Sequence, residues 1–152
     1  MDKEFEIPTA RIEAFSDGVI AILITVMVFD LKINESIGET NFWESLESIY
    51  PKFLAYGVSF LMIAILWVNH HQLFHQIKKS ERALLWYNIH LLFWMSLIPF
   101  ATNLVGANPI LWQATSLYSL IFLANSWSFS LLRKYVNKQN LLHKTISIQA
   151  QK

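Results

Sequence analysis

The chain alternates four long apolar blocks with short polar segments. Each block has enough apolar residues, about 20, to cross the roughly 30 Å hydrocarbon core of a bilayer as a helix. The pattern therefore predicts an all-α, polytopic membrane protein with four transmembrane helices. These predicted helices cover about residues 11–31, 52–74, 83–104 and 110–132.

Composition and charge narrow the class of protein further. The chain has 152 residues and is 54% hydrophobic and 15% charged, whereas a soluble domain has about 25% charged residues. A net charge of +1 without a basic stripe gives no reason to expect nucleic-acid binding. The absence of cysteine excludes thiolate metal sites and a cysteine nucleophile. We expect residues 1–132 to form a transmembrane domain in contact with the lipid bilayer, followed by a polar, basic tail over 133–152.

The distribution of Lys and Arg among the polar segments predicts the orientation. Segment 32–51 contains one Lys and four Glu, whereas the 75–83 connector contains three basic residues and the tail five. Because basic loops stay on the cytoplasmic side, both termini and the connector are predicted to be cytoplasmic, with the chain in the cell membrane. Residues 41–50 place apolar side chains on one face and predict a short interfacial helix.

Polar residues near the start of the first helix are the first candidates for function. Arg11, Ser16 and Asp17 lie there, and charged groups at membrane depth must pair or face water. They are predicted to reach polar partners on neighbouring helices.

A second face of the same helix forms an almost wholly apolar stripe. Its members, spaced i, i+3, i+4 and i+7, are Ile22, Thr25, Val26 and Phe29. Such a stripe is typical of ordinary helix packing, and it is also what the wall of an apolar pore constriction requires. Spacing alone leaves both interpretations open.

Polar side chains at the cytoplasmic ends of the second and third helices are the predicted partners. His71 and Asn88 lie at the same predicted membrane depth as Asp17, and an unsatisfied polar group there is costly. His71 and His75 have the i, i+4 spacing of some metal ligands, but no third ligand follows at a fixed spacing. We therefore expect hydrogen bonding at these residues and no bound metal.

Several motifs follow one another over about residues 11–104. They are RxxxFSD at 11–17, WVNHHQ at 67–72, LWxN at 85–88 and SLIPF at 96–100. In this order they resemble the transmembrane protein 175 potassium-channel family, in its prokaryotic branch. The resemblance implies a homotetrameric channel that conducts K+, with H+ conducted by some members, and it implies neither a cofactor nor an enzymatic activity.

The resemblance also implies roles for individual residues. The first helix lines the pore, with a constriction at Ile22, a hydroxyl layer at Thr25 and further pore-facing side chains at Val26 and Phe29. A polar network ties this helix to the second and third, and its members are Arg11, Ser16, Asp17, His71 and Asn88.

Two alternatives remain beside the channel hypothesis. The family repeat has six helices, whereas this sequence has room for four, so a non-conducting membrane scaffold or a truncated channel subunit is the first alternative. The second is a metal-dependent membrane enzyme that uses the histidines His70, His71, His75 and His90.

Overall fold

The computed structural model of the chain describes residues 8–33, 42–139 and 141. Every regular element within these ranges is a helix, which confirms the predicted all-α class. In chain order the helices are α1 (Thr9–Val26), a 3-10 turn (Met27–Asp30), α2 (Phe42–Ser48), α3 (Tyr50–His75), α4 (Arg82–Ser96), α5 (Ile98–Ala107) and α6 (Trp112–Lys138). The short interfacial helix predicted over 41–50 corresponds to α2.

Prolines determine where two of these helices begin. Pro51 lies in the first turn of α3 and Pro99 in the first turn of α5. A proline is tolerated there because the first N–H groups of a helix have no intrahelical partner, whereas further along its ring would clash with the preceding turn. The third apolar block is therefore interrupted at Leu97 and forms two helices, α4 and α5.

The helices pack as a bundle with an apolar interior. Helix α3 lies along α5, α4 lies along α6, and α1 packs against both α3 and α4. The largest apolar side chains of the interior are fully buried, among them Ile63, Leu84, Met95, Ile98 and Leu132. Many equally large apolar side chains lie on the outer surface, including Phe15, Leu61, Trp86 and Trp127. A surface this apolar is unfavourable in water and requires lipid or other subunits around it.

Three helical segments of the described ranges are long and apolar enough to span a membrane: Thr9–Asp30, Tyr50–His75 and Arg82–Ala107. The fourth predicted block forms α6, which has 27 residues and so a length of about 40 Å at 1.5 Å per residue. Its apolar positions alternate with Ser, Thr, Asn and Gln, and it does not reach the hydropathy of the other three. The fourth span therefore stays a prediction. Helix α6 also continues past Leu132, so that it includes the first residues of the predicted tail.

The end of α6 is joined to the connector between α3 and α4. The Tyr135 hydroxyl donates a 2.7 Å hydrogen bond to Glu81 Oε2, and its ring stacks on Tyr87 with centroids 4.8 Å apart. Burial, together with the hydrogen bond to Glu81 and the charge of its carboxylate, raises the pKa of Tyr135 to about 12. The hydroxyl therefore stays protonated and donating, which keeps α6 fixed at the predicted cytoplasmic end of the bundle.

Gly106 lets α5 approach α3 closely. A Cβ atom at this position would lie 3.0 Å from Lys52 Cα and 3.3 Å from Ala55 Cβ. We expect Gly106→Ala to lower the free energy of unfolding by about 1–3 kcal/mol, because the added methyl group pushes the two backbones apart. The shift of the denaturation midpoint in detergent measures this effect.

Gly57 in the middle of α3 is the matched control. Apart from its chain neighbours and the backbone of its own helix, no atom lies within 4 Å of the position that its Cβ would take. Gly57→Ala should be neutral or stabilising by up to about 1 kcal/mol, since alanine has the higher helix propensity. Equal stability of the two variants would contradict the close-packing explanation for Gly106.

Candidate functional site on the first helix

A chain of buried hydrogen bonds joins α1, α3 and α4. His70 Nε2 donates to Asn88 Oδ1 at 2.8 Å, and Asn88 Nδ2 donates to Ser16 Oγ at 2.9 Å. The Ser16 hydroxyl donates in turn to the Ile12 carbonyl at 2.8 Å. All three side chains are fully buried. Because each group donates to the next, the chain is satisfied in only one direction, which fixes the orientation of α1 relative to the other two helices.

Two contacts position the ring of His70. It stacks on Phe74 with centroids 4.3 Å apart, and its Nε2 carries the proton that Asn88 accepts. Its Nδ1 is buried without a hydrogen-bond partner in the described part of the chain. An apolar neighbour and one strong polar contact therefore determine the position of this histidine.

A second pair of contacts lies beside the buried chain and is partly exposed. Trp67 Nε1 donates to Asp17 Oδ1 at 2.8 Å, and His71 Nδ1 lies 2.9 Å from Glu13 Oε1. The Trp67 and His71 rings stack with centroids 5.7 Å apart. These contacts bind the outer edge of α1 to α3 at the same end of the bundle as the buried chain.

The predicted network residues occupy three different environments. Ser16 and Asn88 belong to the buried chain, whereas Asp17 and His71 belong to the outer contacts with Trp67 and Glu13. Arg11 is exposed, and its side chain makes no hydrogen bond or ion pair with another residue of the described ranges.

Three residues of this region lay outside the predicted polar network: Glu13, Trp67 and His70. His70 and His71 are adjacent, and successive side chains of an α-helix point about 100° apart. Only one of them can enter the bundle, and the sequence offers no signal for which. Trp67 belongs to the WVNHHQ motif, and its indole N–H donates the hydrogen bond that Asp17 accepts.

The apolar stripe of α1, which Phe29 extends into the 3-10 turn, lies on the outside of the bundle. Ile22 is 61% exposed and Phe29 is 69% exposed, and Thr25 and Val26 are exposed as well. The Thr25 hydroxyl donates to the carbonyls of Ala21 and Ile22 at 3.1 and 3.0 Å.

The opposite face of α1 is buried against α3 and α4. Ile20 and Leu23 on this face are buried, and so is Met27 at the start of the 3-10 turn. The helix is thus fixed by one face and uncovered along the other.

The helices and their apolar outer faces define a polytopic helical membrane protein. A family model described as "Endosomal/lysosomal potassium channel TMEM175" matches residues 11–99. The chain belongs to the TMEM175 family, as its motifs predicted. The family and the relatives that follow are channels by name and not enzymes.

Relatives and a solved structure agree with this family. "Potassium channel HX13_20290" from Chryseobacterium sp. (strain P1-3) is 42% identical over 126 residues, which cover 83% of this chain and 64% of that protein. "Endosomal/lysosomal proton channel TMEM175" from Homo sapiens is 34% identical over 117 residues, covering 72% of this chain and 21% of that protein. The crystal structure of a lysosomal potassium-selective channel TMEM175 homolog from Chamaesiphon minutus is similar with a TM-score of 0.77 at 38% identity, covering 93% of this chain and 78% of that chain. The chain spans between 62% and 65% of the length of the bacterial relatives it matches.

Proposed function

We propose that the chain is a subunit of a homotetrameric, potassium-permeable channel in the cell membrane. The observation that carries the proposal is the uncovered stripe on α1, a helix that is firmly held by its opposite face. The names of the bacterial relatives, which are potassium channels, support the choice of ion.

The stripe has the chemistry of a pore wall without a carbonyl filter. Ile22 is proposed as the constriction, because a ring of bulky apolar side chains excludes water from a narrow path. Thr25 lies one turn further along. Since its hydroxyl hydrogen is used by main-chain carbonyls, the lone pairs of its oxygen are available to a permeating cation. Val26 and Phe29 would continue the wall beyond this layer.

The homotetramer is proposed from the resemblance to the channel family, and the single uncovered face of each chain supports an oligomer. One chain supplies one such face and cannot enclose a pore alone, whereas four copies around a fourfold axis bring four stripes together. The buried chain from His70 through Asn88 to Ser16 then sets the angle at which each stripe faces the axis. The outer contacts of Asp17 and Glu13 support the same angle.

The proposed topology has four spans with both termini in the cytoplasm. Helix α6 is the fourth span, and its length suffices for the hydrocarbon core. Basic residues of the α3–α4 connector and of the end of α6 lie on the cytoplasmic side, as the charge bias of loops requires. The residues are Lys78, Lys79, Arg82, Arg133, Lys134 and Lys138.

The permeant ion is proposed to be K+, without a cofactor. H+ is the second ion to test, because the animal relatives are named proton channels. A non-conducting membrane scaffold or channel subunit is the alternative. The chain spans only 62% to 65% of the length of the bacterial relatives. The experiment therefore has to distinguish this alternative from a channel.

Potassium flux into liposomes tests the proposal. We expect purified protein to admit K+ in preference to Na+, and cross-linking in the same liposomes to trap species up to the tetramer. A parallel assay with a pH-sensitive dye measures H+ entry. A cross-linked tetramer without flux would favour the scaffold, and a monomer without flux would contradict the channel.

A further inference from the structure

Three potential metal ligands converge where α1 meets α3. Glu13 and Asp17 lie one turn apart on α1, and His71 reaches them from α3. One ligand atom of each residue can be chosen so that all three lie within 4.8 Å of one another. Two carboxylate oxygens and one imidazole nitrogen form a donor set suited to transition metals such as zinc.

The charges of this cluster do not balance. Two carboxylates at i and i+4 on one helix repel each other, and a single imidazole carries at most one positive charge. The three groups therefore sum to a charge of −1 when His71 is protonated and −2 when it is neutral. At the edge of a membrane domain such an excess is costly, and a divalent cation would neutralise it.

The ligands are accessible and already oriented. His71 is 50% exposed and Glu13 is 21% exposed, so an ion can reach them from water. Trp67 donates to Asp17 and stacks on His71. Groups that hold ligands in this way lower the cost of arranging them around a metal.

We infer that Glu13, Asp17 and His71 form a binding site for a divalent transition-metal cation such as Zn2+. The three side chains would supply three ligands, and water would complete the shell. Zinc bonds of about 2.0–2.1 Å bring tetrahedral ligands to roughly 3.3 Å from one another. The ligand atoms lie within 4.8 Å of one another, which exceeds that spacing by at most about 1.5 Å, a difference that rotation of the side chains can close. Mg2+ and Ca2+ prefer all-oxygen shells, so the imidazole disfavours them.

Binding would clamp the first helix. The cation would link α1 to α3 at the end where the buried chain already joins them. If α1 lines a pore, which rests on the proposed function above, such a clamp opposes any rotation of α1 that opens the pore. Zn2+ on the cytoplasmic side would then reduce the flux.

The test uses Co2+ as a spectroscopic probe of the full chain in detergent, with any purification tag removed. Visible absorption of Co2+ intensifies when protein ligands replace water in a shell of lower coordination number, and Zn2+ should abolish the signal by competition. We expect His71→Gln and Asp17→Asn each to raise the Kd at least tenfold. Trp67→Phe, which removes only the support of Asp17, should raise the Kd about tenfold.

His75→Gln and His90→Gln are the matched controls, because neither histidine is one of the three ligands. Both should bind Co2+ like the parent chain. Glu13→Gln serves as a further ligand variant if His71→Gln elutes as an aggregate in size-exclusion chromatography. Equal binding by the parent chain and the ligand variants, or absence of a Co2+ signal from the parent chain at about millimolar metal, a concentration far above that of typical specific sites, would overturn the inference.

The optical measurement requires no ion conduction, so failure of the metal site and failure of the channel are distinguishable. Flux in liposomes is measured separately with and without Zn2+ on the cytoplasmic side. Parent flux that falls with Zn2+, together with His71→Gln flux that does not, supports the clamp. A Co2+ signal without a Zn2+ effect on flux would retain the site and reject its regulatory role.

Discussion

Ile22→Asn is expected to raise potassium flux at least about tenfold, which corresponds to a barrier lower by about 1.4 kcal/mol. The side chain is 61% exposed on the uncovered face of α1, so the substitution leaves the interior of the subunit unchanged. In the proposed tetramer, four amide groups replace an apolar ring, and water then fills the constriction. Hydrated Na+ should pass as well, so the preference for K+ over Na+ should fall. Flux of both ions into liposomes measures the two effects together.

Leu123→Asn is the matched control for this substitution. Leu123 is 67% exposed and lies on α6, which packs against α4 and α5. The substitution Leu123→Asn introduces the same amide group at a similarly exposed position, but away from the stripe of α1. Flux that rises equally in both variants would indicate a general leak, and unchanged flux in Ile22→Asn would contradict the constriction at this residue.

The helices and the polar end of the bundle could be predicted because each rests on a local signal. Apolar blocks of membrane length follow from composition alone, and prolines mark where helices begin. The side chains of Asp17 and Asn88 had to find partners because isolated polar groups are costly in a membrane. Since α1, α3 and α4 alternate in direction, their polar ends meet at one end of the bundle, as the order of the motifs implied.

The identity of the partners could not be predicted because it depends on rotation about the helix axes. His70 enters the bundle and His71 faces Glu13, and a rotation of α3 by about 100° would exchange them. The three potential metal ligands of α1 and α3 could not be predicted for the same reason, because their meeting also depends on how the two helices are rotated. The i, i+4 pair that the sequence suggested, His71 and His75, lies on one helix, whereas the carboxylates beside His71 come from another helix.

The predicted fourth span illustrates a different limit of sequence reasoning. Apolar residues of α6 are dense enough to suggest a membrane helix, but the intervening hydroxyl and amide groups lower its hydropathy. Several of these groups are satisfied within the bundle: Ser128 donates to a carbonyl of its own helix, and Tyr118 shares a hydrogen bond with Ser59. Hydropathy treats such groups as if they faced lipid, although partners in the fold reduce their cost.

Asn88→Ala is expected to lower the free energy of unfolding by about 3 kcal/mol, because each buried group left without a partner costs about 1–3 kcal/mol. The substitution removes the acceptor of His70 Nε2 and the donor to Ser16 Oγ at once. Asn125→Ala is the matched control: Asn125 is equally buried, but its amide donates only to Ile121 of its own helix and its Oδ1 has no partner in the described ranges. Asn125→Ala should therefore lower the free energy of unfolding by less than about 1 kcal/mol beyond the effect of the lost side-chain volume. Tryptophan fluorescence during denaturant titration in detergent measures the free energy of unfolding of both variants.

A double variant that combines Asn88→Ala with Ser16→Ala should lose less stability than the sum of the two single losses, because both changes break one chain of hydrogen bonds. Equal losses at Asn88 and Asn125 would mean that Asn88 contributes packing alone, and that α1 is held in place by its apolar face and its outer contacts with α3.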